Sequence, residues 1–266
     1  MEKIVDKNFE QWSGLSDEYH NSRPMPPKII VKIILSWLQK EPDTIIDIGC
    51  GTGLSTIIWN DFAKNIIGIE PNNDMRTTAE KNAGSNRIEF KKGVSNETNL
   101  PSECADIITV SQAFHWMDID STLTEFYRVL KKGGVLALYD FVLPPIMGWE
   151  IEKAYLNLRQ KCSKIIYSQE DPPIHNDKST YNDRIKLFGK FRHSREVECH
   201  SEIEYTPQKL MDLIVDISNL KLAMKIDATF RKGVDELYYS IYDLVRARYI
   251  GDNAIIFPYR IVIAIK

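Results

Sequence analysis

The sequence predicts an α/β fold built on a mostly parallel sheet, and three observations carry that prediction. Short apolar runs rich in isoleucine and valine alternate with stretches of helical periodicity between residues 41 and 140, the rhythm of βαβ units. The first run passes directly into glycines, Asp47-Ile48-Gly49-Cys50-Gly51-Thr52-Gly53, as a strand does when it turns sharply at its C-terminal end. The chain has 266 residues, 43% of them hydrophobic and 27% charged, which suffices for one large α/β domain with a well-filled core.

Taken in order, Thr44–Ile48 reads as a buried first strand and Asn65–Glu70 as a second. Arg87–Lys91 is a weaker third, Ala105–Val110 a fourth and Val135–Asp140 a fifth. Helices are expected between them at Leu54–Phe62, Asn72–Asn82 and Ile119–Lys131. Gly133-Gly134 after Lys131-Lys132 reads as a helix end, with cations at the negative end of the dipole and glycine beyond. Past Asp140 the rhythm changes. Pro144, Pro145 and Gly148 close the fifth strand, Trp149–Ile166 reads as an amphipathic helix, and residues 169–183 are polar and turn-rich. Residues 141–191 are therefore expected to form an inserted helical cap. Glu196–Glu202 alternates like a strand, and Thr206-Pro207 opens a helix with a hydroxyl cap and proline at its first position. Val234–Tyr249 then reads as helix and Ala254–Ile265 as a final strand. The reading is of one domain over 1–266: a helical cover at 1–40, a ligand-binding core at 41–140, the cap, and 192–266 completing the sheet.

Composition narrows the function classes. The formal charge is −3, without the basic balance that phosphate neutralisation requires, so nucleic acid is not the expected partner. The longest apolar run, Ile29–Leu38, is broken by Lys32 and too short to span a bilayer, so no membrane partner is expected. Met1–Asp6 shows no secretory pattern. The four cysteines, Cys50, Cys104, Cys162 and Cys199, are scattered with no C-x-x-C pair, which fits neither a common zinc site nor a disulfide framework. A reduced, cytoplasmic, metal-free protein is the expectation. His20, His175, His193 and His200 form no ligand spacing and are read as surface residues.

The glycine loop carries the chemistry. A dinucleotide fingerprint has the form G-x-G-x-x-G/A. Here Leu54 follows Gly53, so the third glycine falls one residue early, favouring a loop around a compact nucleoside and amino acid over one receiving a pyrophosphate. Glu70 ends the second strand at about the spacing, roughly 20 residues from the glycines, where such folds place an acid on a ribose. Pro71 closes that strand, and Met75 on the next helix offers an apolar face for a base.

These segments, with Ser111-Gln112-Ala113-Phe114-His115-Trp116 and Arg128-Val129-Leu130-Lys131-Lys132-Gly133-Gly134, resemble the successive motifs of class I S-adenosylmethionine-dependent methyltransferases. The Gln-Ala-x-His-Trp segment and Tyr19-x-x-x-Arg23-Pro24-x-Pro26 resemble the small-molecule subgroup that contains trans-aconitate methyltransferase-like proteins. The resemblance implies a Rossmann-like, seven-stranded sheet with an antiparallel last strand and helices on both faces. It implies S-adenosylmethionine as cofactor, with Asp47, Gly49, Cys50 and Gly51 beside its methionine portion and Glu70 on its ribose. Residues near Gly93, Val94 and Ser95 would lie at the adenine edge, with Pro71 and Met75 among the cofactor-binding residues, and Gln112, Ala113 and Phe114 along the cofactor beside the acceptor pocket. Many relatives carry an acid just after the glycine equivalent to Gly93, where this chain has Val94-Ser95. Tyr19 and Arg23 belong to a segment that folds over the cofactor in the family, and Arg23 would pair with the cofactor carboxylate, with an acidic acceptor, or with neither.

His115 is the candidate catalytic residue. A histidine beside a ligand loop serves as a general base or orients the loop, and both readings stay open. The expected reaction is methyl transfer to a small organic acceptor, carboxylic acids among those considered, with Arg159, Lys161 and Arg184 as the cap's available cations. A nicotinamide-dependent oxidoreductase and a non-catalytic cofactor-binding module are the alternatives. The sequence is silent on oligomeric state.

Overall fold

A computed structural model describes residues 9–10, 12–170, 172–173, 175–248 and 254–266. Seven strands form one sheet: β1 Thr44–Ile48, β2 Asn65–Ile69, β3 Ile88–Lys91, β4 Ala105–Ser111, β5 Leu130–Phe141, β6 His193–Glu204 and β7 Ala254–Ile265. Their spatial order is β3-β2-β1-β4-β5-β7-β6. The first five run parallel, while β7 lies antiparallel to both β5 and β6. The chain order reverses between β1 and β4, so a crevice opens beyond the C-terminal ends of those two strands.

Period-two alternation sorts the strand residues between two cores. Ile45, Ile107, Val135, Ala137 and Tyr139 face one layer, with helices α1 Ser16–Ser22 and α2 Lys28–Leu38 entering from the N-terminal segment and α2 packing there. Ile46, Ile48, Ile108, Val110, Leu136 and Leu138 face the other. Helix α3, Asn73–Asn82, starts where the Asn72 side chain accepts from the Met75 amide, and α4, Ile119–Val129, starts likewise at Asp118. Helix α5, Trp149–Tyr167, buries Ile151, Tyr155, Leu158, Cys162 and Ile166 at helical spacing. It packs with α7 Pro207–Ile217, α8 Leu220–Ile226 and α9 Asp235–Arg248 into the first core. Helix α6, Tyr181–Phe188, places Tyr181 and Ile185 in the second. The Thr206 hydroxyl caps α7 and Pro207 opens it, as expected. No helix among the described residues is long and apolar enough to cross a membrane.

Two local expectations are corrected. Leu54–Phe62 is not an α-helix but a series of turns around a short 3₁₀ segment, Ile57–Trp59. The Ser55 and Thr56 hydroxyls reach back to Asp47, and the Thr56 and Ile57 amides both donate to Gly53 O, so side chains and a bifurcated turn displace the helical ladder. The helix expected to reach Lys131 stops at Val129, because Leu130 is already extended and begins β5. Lys131 bonds Asp106 Oδ2 at 2.7 Å rather than helix carbonyls, and Gly133-Gly134 pair with Lys266 of the last strand's end. The stretch 169–183 is irregular over its described residues up to Asp177, as expected, and α6 begins only at its end, at Tyr181.

Candidate functional site

The glycine loop turns out of β1 with the Gly49 and Cys50 amides both donating to Ile69 O, at 2.8 and 3.2 Å. Gly49 has φ +66°, and a Cβ there would lie 2.7 Å from the Ala113 Cβ, so only glycine lets the loops after β1 and β4 approach this closely. Gly51, at φ +55°, has no atom within 4 Å of its Cβ position, leaving open space beside the loop.

Glu70 braces this loop. Its Oε2 accepts the Gly51 amide and its Oε1 the Asn72 amide, both at 2.9 Å. Burial pushes its pKa up to about 7, against the pull of those two backbone donors. Each oxygen keeps a second lone pair for a ligand hydroxyl. Asn72 in turn donates to Phe9 O and Ser13 Oγ, and the Gly14 amide donates to Asp74, so the N-terminal segment is tied across the crevice.

One cavity of about 970 Å³ lies beyond these strand ends. Of the residues singled out in the sequence, Gly49, Cys50, Gly51, Glu70, Pro71 and Met75 line one part of it. Val94 and Ser95 line the neighbouring wall, where the Ser95 and Thr122 hydroxyls bond at 2.8 Å. Tyr19, Arg23, Gln112, Ala113 and His115 line the rest. Asp47 and Phe114 are not among the lining residues. Asp47 is fully buried and accepts from the Ser55, Thr56 and Thr109 hydroxyls, which makes it the loop's internal brace. Phe114 turns into the second core, edge-on to Tyr181 at 4.8 Å. Arg23 pairs with Asp216 of α7 and lies over the Tyr19 and Phe141 rings.

His115 is buried, and its Nδ1 has no hydrogen-bond partner among the described residues. Burial first, then Lys178, the adjoining His175 ring, Arg23 and Arg159, hold its pKa well below the usual range, so the ring is neutral at neutral pH. His175 is exposed, as expected of a surface residue, and also lines the cavity with its ring 4.6 Å from His115. Trp12 meets Tyr19 and Trp116 edge-on at 5.8 and 6.4 Å, giving an aromatic wall.

The cap is joined to the loop after β4 by residues the sequence did not single out. Asn176 donates its amide to His115 O at 2.8 Å and its side chain to Met117 O at 2.8 Å. Lys178 Nζ donates to Gln112 Oε1 at 3.0 Å and to Asp140 Oδ1 at 2.6 Å. Arg159 and Arg184 line the cavity, whereas Lys161 is exposed and does not. Arg159 is half-buried, donates to the Tyr155 hydroxyl at 3.2 Å, and forms no ion pair among the described residues. No cluster of three or more potential metal ligands occurs among the described residues.

Residues 46–138 match the family described as a methyltransferase domain. Probable S-adenosylmethionine-dependent methyltransferase CRG1 of Saccharomyces cerevisiae is 28% identical over 150 residues, covering 54% of this chain and 50% of that protein. A candidate methyltransferase of Dictyostelium discoideum is 31% identical over 137 residues, 52% of this chain and 51% of that one. The matches thus span about half the length of these curated relatives. The solved structure of a candidate type II methyltransferase from Anaeromyxobacter dehalogenans superposes with a TM-score of 0.65 at 19% identity, covering 91% of this chain and 96% of that one. That likeness is one of fold.

Proposed function

We propose, from the premise that residues 46–138 are a class I S-adenosylmethionine-dependent methyltransferase domain, that the chain methylates a small organic acid held beneath the cap. The observation that carries this reading is the continuous cavity. At about 970 Å³ it sits at the upper end of the range for ligand pockets, roomy enough for a cofactor and a small acceptor together. The glycine cradle and the buried, half-satisfied Glu70 carboxylate fit an adenosine ribose and a methionine portion at one end. The Arg159 guanidinium, which donates to the Tyr155 hydroxyl and forms no ion pair among the described residues, fits an anion at the other.

The bound cofactor supplies a methyl group on sulfonium, already attached to a good leaving group. The protein's work is alignment and exclusion of water, and positioning of this kind is worth on the order of 7–11 kcal/mol. Glu70 and the loop fix one partner, while Arg159 and the cap fix the other. A carboxylate is ionised at neutral pH and needs no base. The neutral, low-pKa imidazole of His115 is a weak base, which suits an acceptor that arrives without a proton to lose.

The test is calorimetric binding of S-adenosylhomocysteine and of NADH, followed by transfer of labelled methyl groups from S-adenosylmethionine into pooled small organic acids. S-adenosylhomocysteine should bind and acids should be labelled. Binding of NADH in place of S-adenosylhomocysteine would overturn the reading.

A further inference from the structure

Gln112 combines three features that seldom coincide. Its backbone has φ +55°, a left-handed conformation that a non-glycine residue adopts only when its surroundings enforce it. Its Oε1 accepts from Lys178 Nζ at 3.0 Å. Its Nε2 is buried without a partner among the described residues, in a side chain that lines the cavity. An ammonium has donors only, so the amide cannot turn its nitrogen toward Lys178. Lys178 is itself held by Asp140 at the end of β5, at 2.6 Å. The cap, the end of β4 and the end of β5 therefore agree on one orientation of this amide.

We propose that Lys178 is a positioning residue that presents the Gln112 amide N–H to an oxygen of the methyl acceptor, and so selects oxyanionic acceptors over amines. This rests on the reading of the cavity as a cofactor-plus-acceptor site. An acceptor oxygen supplies the partner that Nε2 lacks. An amine, protonated at neutral pH, would set its own donors against Nε2 and its charge against Arg159 and Lys178. The selection acts through hydrogen-bond polarity, and the cap must be docked for it to operate.

The experiment uses the full chain saturated with S-adenosylhomocysteine, whose dissociation constant is measured first for each variant so that saturation is known. Benzoate, succinate and citrate are then titrated by calorimetry against benzylamine and putrescine. Wild type should bind at least one carboxylate and neither amine. Lys178→Met and Gln112→Glu should each weaken that carboxylate tenfold or more, and Lys178→Arg should recover most of the loss. The double variant should be no worse than the weaker single one, because the two residues act as a unit. Additive losses would show that Lys178 acts on its own, and equal affinity in Lys178→Met would show that it plays no part. Binding of an amine in preference, or of no carboxylate, overturns the proposal while leaving methyl transfer intact. Failure to bind S-adenosylhomocysteine sinks the underlying reading instead.

Discussion

Glu70 Oε2 accepts the backbone amide of Gly51 at 2.9 Å, so the acid at the end of β2 clamps the middle of the glycine loop after β1. The contact joins the two features that singled out this site in the sequence, and it places the carboxylate where it can serve loop and ligand together. Glu70→Ala should therefore weaken S-adenosylhomocysteine by roughly 1.5–3 kcal/mol, the range for hydrogen bonds to a charged group. Calorimetry on the folded variant checks this. Unchanged affinity would reduce Glu70 to a loop brace.

The same carboxylate sets a pH dependence with a definite sign. Its folded-state pKa is raised from 4.5 to about 7, so the unfolded chain ionises first. This group favours the fold at low pH, and its contribution is lost as pH rises from 4.5 toward 7. Under the proposed reading, in which ribose hydroxyls donate to the ionised Glu70, ligand affinity should run the other way and rise with pH. S-adenosylhomocysteine binding should gain up to about tenfold per pH unit below 7 and level off above it. Glu70→Gln should flatten the profile, and a wild-type affinity independent of pH between 5.5 and 8 would refute the linkage.

His115 bears on the acceptor's chemistry. If the acceptor arrives as a carboxylate, His115→Asn should keep turnover within about tenfold, a barrier change near 1.4 kcal/mol. A thousandfold loss at preserved cofactor affinity would instead make His115 a general base and point to a hydroxyl or amine acceptor.

What the sequence made legible is what depends on near neighbours. Strand alternation, the Asn72-led and Thr206-led helix starts and the glycine turn are all set within a few residues. The misjudged segments are those settled by distant partners. Leu54–Phe62 loses its helix partly because Ser55 and Thr56 serve an Asp47 that also binds Thr109, 62 residues further on. The docking of the cap joins Asn176 to Met117 and Lys178 to Gln112, pairs separated by 59 and 66 residues that share no spacing rule. Asp47 and Phe114 show the converse: family motifs mark them, yet one braces the loop from within and the other fills the core.

Asp47 gives the sharpest separation between bracing the loop and touching the ligand. Its two oxygens accept three hydroxyls at 2.6–2.7 Å in a site closed to water. Asp47→Ala would strand the Ser55, Thr56 and Thr109 hydroxyls, and a buried polar group without a partner costs roughly 1–3 kcal/mol. The hydroxyls can turn to other acceptors as the site relaxes, so the expected loss of stability is about 2–4 kcal/mol rather than the full sum. The loop is built on this brace, so S-adenosylhomocysteine affinity should fall in the same variant. Denaturant unfolding and calorimetry together decide its role. A large affinity loss with an unchanged unfolding midpoint would show that Asp47 meets the cofactor directly. A lower midpoint accompanied by weaker binding is the outcome that the three hydroxyl bonds require.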